Sequence, residues 1–304
     1  MKKTVLIAGG TGLVGTRLTE LLLEKGYEVR HLSRRVNGNE AVPTYAWDVK
    51  NMEIDAEALE GVDHVVHLAG AGVADERWTD SRKQLILDSR VDSTALLIQG
   101  IKAHNPDVKS FVAASAIGIY GADTGDETIT EASKPGKDFL ARVTIKWEAA
   151  SDPVKEMGIR LVKLRIGIVL STEGGALPKL IQPIKLGMAT ALGDGKQYMS
   201  WIHIDDLCRM FMYAIEHEAL QGAYNAVGPK PVNNETMTRS IARLLDRPMF
   251  LPNAPAFALR MTMGEMASIV LGGNKVSSRK IEEAGFSFEY TDHKRALSNL
   301  LNVE

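Results

Sequence analysis

Gly10, Gly12 and Gly15 stand at the spacing G-x-G-x-x-G, with Gly9 one residue ahead, between an apolar run and a leucine-rich stretch that stops at Gly26. Residues 5–8 read as a buried strand, 16–25 as a helix with leucines at 18, 21, 22 and 23, and 28–32 as a second strand. Glycine suits such a junction because a backbone without Cβ atoms turns sharply and comes close to a pyrophosphate. The phosphate charge then rests on amides at the helix N-terminus. The stretch predicts a dinucleotide site in which Gly9, Gly12, Leu13, Val14 and Gly15 meet the phosphates.

The end of the second strand says which dinucleotide. A site for NAD places an acid there to hold the ribose 2′-hydroxyl. This chain has Ser33-Arg34-Arg35 instead. A guanidinium pairs with a 2′-phosphate that a carboxylate would repel, so NADP(H) is the expected cofactor. Asp48 and Val49 follow the third strand, where the carboxylate either accepts from an adenine amino group or caps its own turn. Leu68, Ala69 and Gly70, in "HLAGAG", end the fourth strand, and the alanines and glycines there are small enough for backbone to pass close to a ribose.

These residues need a scaffold that gathers strand ends. Further strands are predicted at 44–47, 62–68, 110–114 and 160–170, with long helices at 82–104 and 137–157. The alternation gives an α/β fold, a Rossmann-type doubly wound parallel sheet. Residues 1–225 are expected to form the nucleotide-binding domain, with an excursion near 171–192 to the substrate side, and 226–304 a smaller C-terminal α/β substrate domain. Asp205 or Asp206 is expected to cap the helix after "MSWIHI". A Met-rich helix at 257–271 is expected to pack into a core or between domains.

With these residues the chain resembles the extended short-chain dehydrogenase/reductases, the NAD(P)-dependent epimerase/dehydratases, over nearly its whole length. "GGTGLVG", "HLAGAG", "ASAIGIYG" and "GDGKQYMSWIHIDDL" carry the likeness. Arg77-Trp78, "LDSRVDST", "KWEAA", "SWIHIDD" and "GEMA" are similar to an atypical subgroup, the sugar-nucleotide epimerase-like family of unknown function. The resemblance implies a Tyr-x-x-x-Lys acid/base on the helix after the fifth strand, and here the chain departs from it. "DFLARVTIKWEAA" contains no tyrosine, Phe139 exchanges no proton, and Thr144 stands near the lysine position, where the subgroup often has cysteine. Lys146 lies two residues further on, turned by ~200° around a helix, and with Glu148 reads as a solvated face.

The resemblance also implies that Ser115 orients a substrate oxygen, and that Arg90, standing in place of an asparagine, reaches the cofactor. It places Ala114, Ile168 and Val169 beside the nicotinamide half. Tyr120 is either a substitute acid or a packed loop tyrosine. His203 is either a titrating group or a satisfied core histidine. Arg165 and Trp201 are expected to meet an anionic or flat substrate at the domain cleft, with interior packing the alternative for Trp201. Two functions follow: an NADP-dependent reductase or epimerase with a non-standard acid, and a non-catalytic NADP(H)-binding sensor or regulatory protein.

Composition narrows the rest. Of 304 residues, 45% are hydrophobic and 24% charged, with a net charge of −2. No basic patch suggests nucleic acid. The single cysteine, Cys208, excludes an intrachain disulfide and suits a reducing compartment. The first apolar run ends at Gly9, and no stretch approaches the ~18 residues of a membrane span. A cytoplasmic monomer or homodimer is expected, acting on a small molecule, with no metal, nucleic-acid or membrane partner.

Overall fold

Thr4–Ala8 (β1) is apolar from Val5 onward and buried at every residue, as a strand covered on both faces must be. The computed structural model describes residues 2–38 and 40–303. Around β1 lie β2 (Glu28–Ser33), β3 (Thr44–Asp48), β4 (Glu53–Ile54), β5 (His64–His67), β6 (Ser110–Ala116) and β7 (Arg160–Ile166). Beyond β7, β8 (Ile168–Leu170) and β9 (Trp201–His203) form a separate parallel pair, and β10 (Gly222–Ala226) returns to the main sheet. The main sheet has eight strands in the order β10-β7-β6-β5-β1-β2-β3-β4, parallel except for β3 with β4. The order reverses between β1 and β5, which in an open parallel sheet is where a crevice opens above the strand ends.

Alternating residues feed two cores. Val5 and Ile7 pack with Leu18 and Leu22 of α1 (Leu13–Glu24) and with Leu207 and Phe211 of α5 (Ile204–Glu216). Leu6 and Ala8 pack with Leu96, Leu97 and Ile101 of α2 (Asp80–His104), which lies beside α3 (Phe139–Ala150). The helix expected over 137–157 is two pieces. Pro153 has no amide to donate to the carbonyl of Ala149, so the α-helical ladder stops and 152–157 continues as a 3-10 helix.

The strand expected at 160–170 also divides. At Gly167 the chain leaves the main sheet: the Gly167 amide donates to Ala226 O at 3.1 Å, and the Ile168 amide donates to Ser200 O at 2.8 Å. A Cβ on Gly167 would lie 2.2 Å from Ser200 O, so the switch requires glycine. It launches a third core in which Leu170, Leu177, Ile181 and Trp201 pack with Met237, Ile241 and Leu297. This core includes α4 (Ala176–Lys185) and α6 (Asn234–Leu244).

Two local expectations are corrected. His203, not either aspartate, caps α5, its Nδ1 accepting from the Asp205 amide at 3.1 Å. The buried Asp206 instead accepts from the amides of Glu289 and Tyr290 at 2.9 and 2.8 Å. The Met-rich stretch breaks at Gly264, leaving α7 (Ala256–Met263) with no buried residue. Phe257 and Met261 are 67% and 76% exposed, so they fill no core.

Gly167→Ala is expected to cost about 2 kcal/mol or more, the scale of core overpacking, seen as a lower urea midpoint. An unchanged midpoint would mean that the switch tolerates a side chain.

Candidate functional site

The glycine turn is built from backbone-to-backbone contacts. Gly9 has φ +88°, and a Cβ there would sit 2.9 Å from the Ala69 nitrogen. A Cβ on Gly15 would sit 2.3 Å from Gly9 O. Gly12 is the N-cap of α1 and no side chain caps the helix, so the first-turn amides, Leu13 among them, are left without a side-chain partner, with the positive end of the helix dipole behind them. That is a fit for a phosphate. Beneath the turn, the His31 ring fills the place of a Cβ on Gly10. Thr19 Oγ1 donates to Gly15 O at 2.7 Å, so His31 Nε2, 2.8 Å away, donates to Thr19.

Around this turn the other expected contacts divide. Arg34 and Arg35 are exposed at the tip of β2, where Ser33 Oγ accepts from the Arg35 amide and donates to its carbonyl, tightening the loop. Asp48 accepts from the amides of Lys50 and Asn51 and from Asn51 Nδ2, so its carboxylate caps its own turn. These bonds hold its carboxyl below the usual range. Val49 packs half-buried against the α2-side core.

The "HLAGAG" loop is held by groups that sequence reasoning passed over. His67 Nδ1 accepts from the Ala69 amide at 3.4 Å, so Nε2 carries the proton toward Thr94 Oγ1 at 3.0 Å and Ser93 Oγ at 3.1 Å. Thr94 Oγ1 in turn donates to Arg90 O at 2.6 Å. Ser89 Oγ accepts from the Ala71 amide at 3.0 Å. A signal was present in "LDSRVDST", where Ser89/Ser93 and Arg90/Thr94 repeat at i, i+4. Arg90 reaches the loop directly, donating from Nη1 to Ala71 O at 2.9 Å and lying 5.0 Å over the Trp147 ring. Burial lowers its pKa to about 10, and the like charge of Arg82 adds to the effect.

A second cluster lies at the ends of β6, β7 and β10, where Ser115, Arg165 and Asn225 are adjacent in register. Ser115 Oγ donates to Glu148 Oε1 at 2.6 Å. Arg165 grips the same carboxylate with Nε at 2.8 Å and Nη2 at 3.0 Å. Its Nη1 donates to Tyr120 OH at 2.9 Å, and that hydroxyl donates to Asn225 Oδ1 at 2.6 Å. The cluster borders a groove of about 430 Å³ lined also by Lys163 and Asp152. Burial holds the Tyr120 phenol above its ordinary pKa, so it stays protonated.

Residues 5–228 match the NAD dependent epimerase/dehydratase family, and residues 254–300 match DUF1731, a domain of unknown function. The chain belongs to the NAD-dependent epimerase/dehydratase family. It is 36% identical to the epimerase family protein YfhF of Bacillus subtilis, over 98% of this chain and 97% of that one. Among solved structures it is similar to human epimerase family protein SDR39U1 (isoform 2) with NADPH, with TM-score 0.87, 29% identity, and coverage of 98% of this chain and 99% of that one. A nucleoside-diphosphate sugar epimerase from Corynebacterium glutamicum aligns with TM-score 0.81 and 34% identity, over 99% of this chain and 58% of that one.

Within this epimerase-family chain, several expected roles shift. Trp201 is fully buried and its indole donates to Lys230 O at 2.9 Å, so it packs the third core, the interior reading of this residue. Glu148 is not part of a solvated face: it compensates Arg165, and only Lys146 is exposed. Thr144 is buried and donates to Leu140 O. Ala114 lies in the α1/α5-side core. The Ile168 amide is already engaged by Ser200, while Val169 is half-buried against the same core. His203 is buried, stacked on Tyr290 at 3.8 Å and bonded to Asn299, the core alternative. No helix among the described residues is long and apolar enough to cross a membrane.

Two stability tests follow. Glu148→Ala strands the buried Arg165 guanidinium and is expected to cost roughly 3 kcal/mol or more by urea unfolding; a loss under 1 kcal/mol would contradict the pairing. Burial lowers the pKa of five histidines, His31, His64, His67, His203 and His293, reaching about 4 for His64 and about 3 for His67. The unfolded chain binds those protons near 6.5 and the folded chain does not, so stability falls as pH drops below that value. Carboxylates are still largely ionised at pH 5, so a Tm that stays flat from pH 7.5 to 5 would argue against buried neutral histidines.

Proposed function

We propose that this chain is an NADP(H)-dependent reductase or epimerase of a small substrate that carries a carbonyl or a nucleotide sugar. The observation that carries the cofactor choice is the exposed Arg34-Arg35 pair at the tip of β2, where an NAD site would hold an acid. The human relative with NADPH supports the same choice. The amides of Leu13, Val14 and Gly15 hold the pyrophosphate. Ser33, Arg34 and Arg35 hold the 2′-phosphate, and Val49 flanks the adenine. Leu68, Ala69 and Gly70 would line the central riboses, and Val169, half-buried, would back the nicotinamide.

Bound NADPH supplies a hydride to an electrophilic carbon. The chain's own contribution is position, which supplies part of the acceleration without a strong acid. Ser115 and Tyr120 are its candidate protic groups, and each must leave a present partner, Glu148 or Asn225, to reach a substrate oxygen. With those bonds kept, water in the cleft supplies the proton that completes an alcohol. That sequestration favours a second reading, a non-catalytic NADP(H)-binding sensor or regulator.

Arg34→Ala is expected to weaken NADPH at least about tenfold, one charge-assisted contact, and to leave NADH nearly unchanged; equal losses would overturn the cofactor choice. Absorbance of reduced nicotinamide, followed against ketones, aldehydes and nucleotide sugars, separates the two readings. Silence across the panel with tight NADPH binding decides for the sensor.

A further inference from the structure

Arg82 and Arg90 project from α2 onto consecutive carbonyls of one loop. Arg82 Nη2 donates to Gly72 O at 2.7 Å, and Arg90 Nη1 donates to Ala71 O at 2.9 Å. Two guanidiniums are thereby held side by side, close enough for Arg82 to disfavour the charge on Arg90. Neither is compensated as Arg165 is. Arg90 makes no ion pair among the described residues. Arg82, with its side chain 10% exposed, meets Asp75 at 3.5 Å and Glu76 at 3.6 Å, both beyond a good hydrogen bond and both mostly in solvent. Arg82 Nε is buried with no hydrogen-bond partner, and so is Trp147 Nε1 in the ring beneath Arg90. Desolvated cations and orphan donors are costly unless an anion completes them.

The loop that carries these carbonyls joins the two halves of the chain. Lys179 of α4 donates to Ala74 O at 3.2 Å, and Lys83, next to Arg82, pairs with Glu265 of the C-terminal region. The cations therefore sit where the nucleotide-binding half meets the part expected to cover a substrate. Asp75 folds back over Gly72, where a Cβ would lie 2.1 Å from its carboxylate, and it occupies the position of a loosely bound internal anion.

We propose that Arg82 and Arg90 seat an oxyanion of the substrate, a carboxylate or a phosphate, which replaces Asp75 and Glu76 at Arg82. The proposal rests on the NADP(H) reading for its place beside the cofactor. In the resting chain the loop acids screen the pair, and substrate binding exchanges weak, exposed contacts for a charge-assisted fork.

The test loads the full chain with NADPH, so that the cofactor fills the glycine turn, and titrates inorganic phosphate and, separately, acetate by calorimetry at fixed ionic strength. One saturable site is expected. Arg82→Gln should weaken it at least about tenfold, and Asp75→Asn with Glu76→Gln should tighten it several-fold by removing the competing carboxylates. The surface double variant carries the test if Arg82→Gln fails to fold. NADPH affinity, read by fluorescence, should be unchanged in both. Preference for phosphate or acetate assigns the substrate's anionic group. Absence of saturable binding, or binding that neither variant alters, overturns the seat. Failure of wild-type protein to bind NADPH overturns the cofactor reading alone. The same phosphate titration on the unloaded chain, sensitive to Arg82→Gln and insensitive to Arg34→Ala, then still locates the seat.

Discussion

The approach of Gly9 to Ala69, too close for a Cβ between them, sets the geometry of everything above the sheet. It draws the ends of β1 and β5 together at the point where strand order reverses, beside the uncapped start of α1. A helix terminus with free amides is an anion site only if backbone rather than side chain surrounds it. Gly15 against Gly9 O meets the same condition from the helix side. The His67–Thr94–Arg90 relay then fixes the facing loop. A neutral imidazole suits that task, since it accepts from one backbone amide and donates to a hydroxyl without bringing a charge into the core.

Charge compensation divides the upper surface of the sheet into two regions of different character. At the ends of β6, β7 and β10, Arg165 and Glu148 form a bidentate pair whose spare valences are satisfied by Ser115, Tyr120 and Asn225. Such an arrangement is rigid, because removing any partner leaves a buried polar atom exposed to the desolvation cost. Along α2, by contrast, Arg82 and Arg90 meet carbonyls and distant acids. The first region has the chemistry of a structural lock and the second that of a receptor.

The division of labour between sequence and fold is visible residue by residue. The glycine spacing, the Arg34-Arg35 substitution and the strand–helix alternation are local signals: each depends on backbone conformation or on residues within one βαβ unit, so they survive reading in one dimension. The partners of Ser115 and Tyr120 were not legible. Glu148 is 33 residues from Ser115 and Asn225 is 105 from Tyr120, and nothing in "KWEAA" distinguishes a solvated glutamate from one paired with a buried arginine. The Met-rich stretch misled over 256–263, since apolar character reports what a residue tolerates and not which surface the chain offers it.

The sequence alone therefore determined a doubly wound nucleotide-binding fold and the absence of a Tyr-x-x-x-Lys pair, because both are written in residue types at short, fixed spacing. The tertiary structure decided which charges are neutralised and which are left open. That depends on strand register, on the break at Gly167 and on a loop meeting α2, all of them contacts between distant segments. An arginine carries the same charge at position 82, 90 or 165, and only its neighbours in space make it a brace or a seat for a ligand.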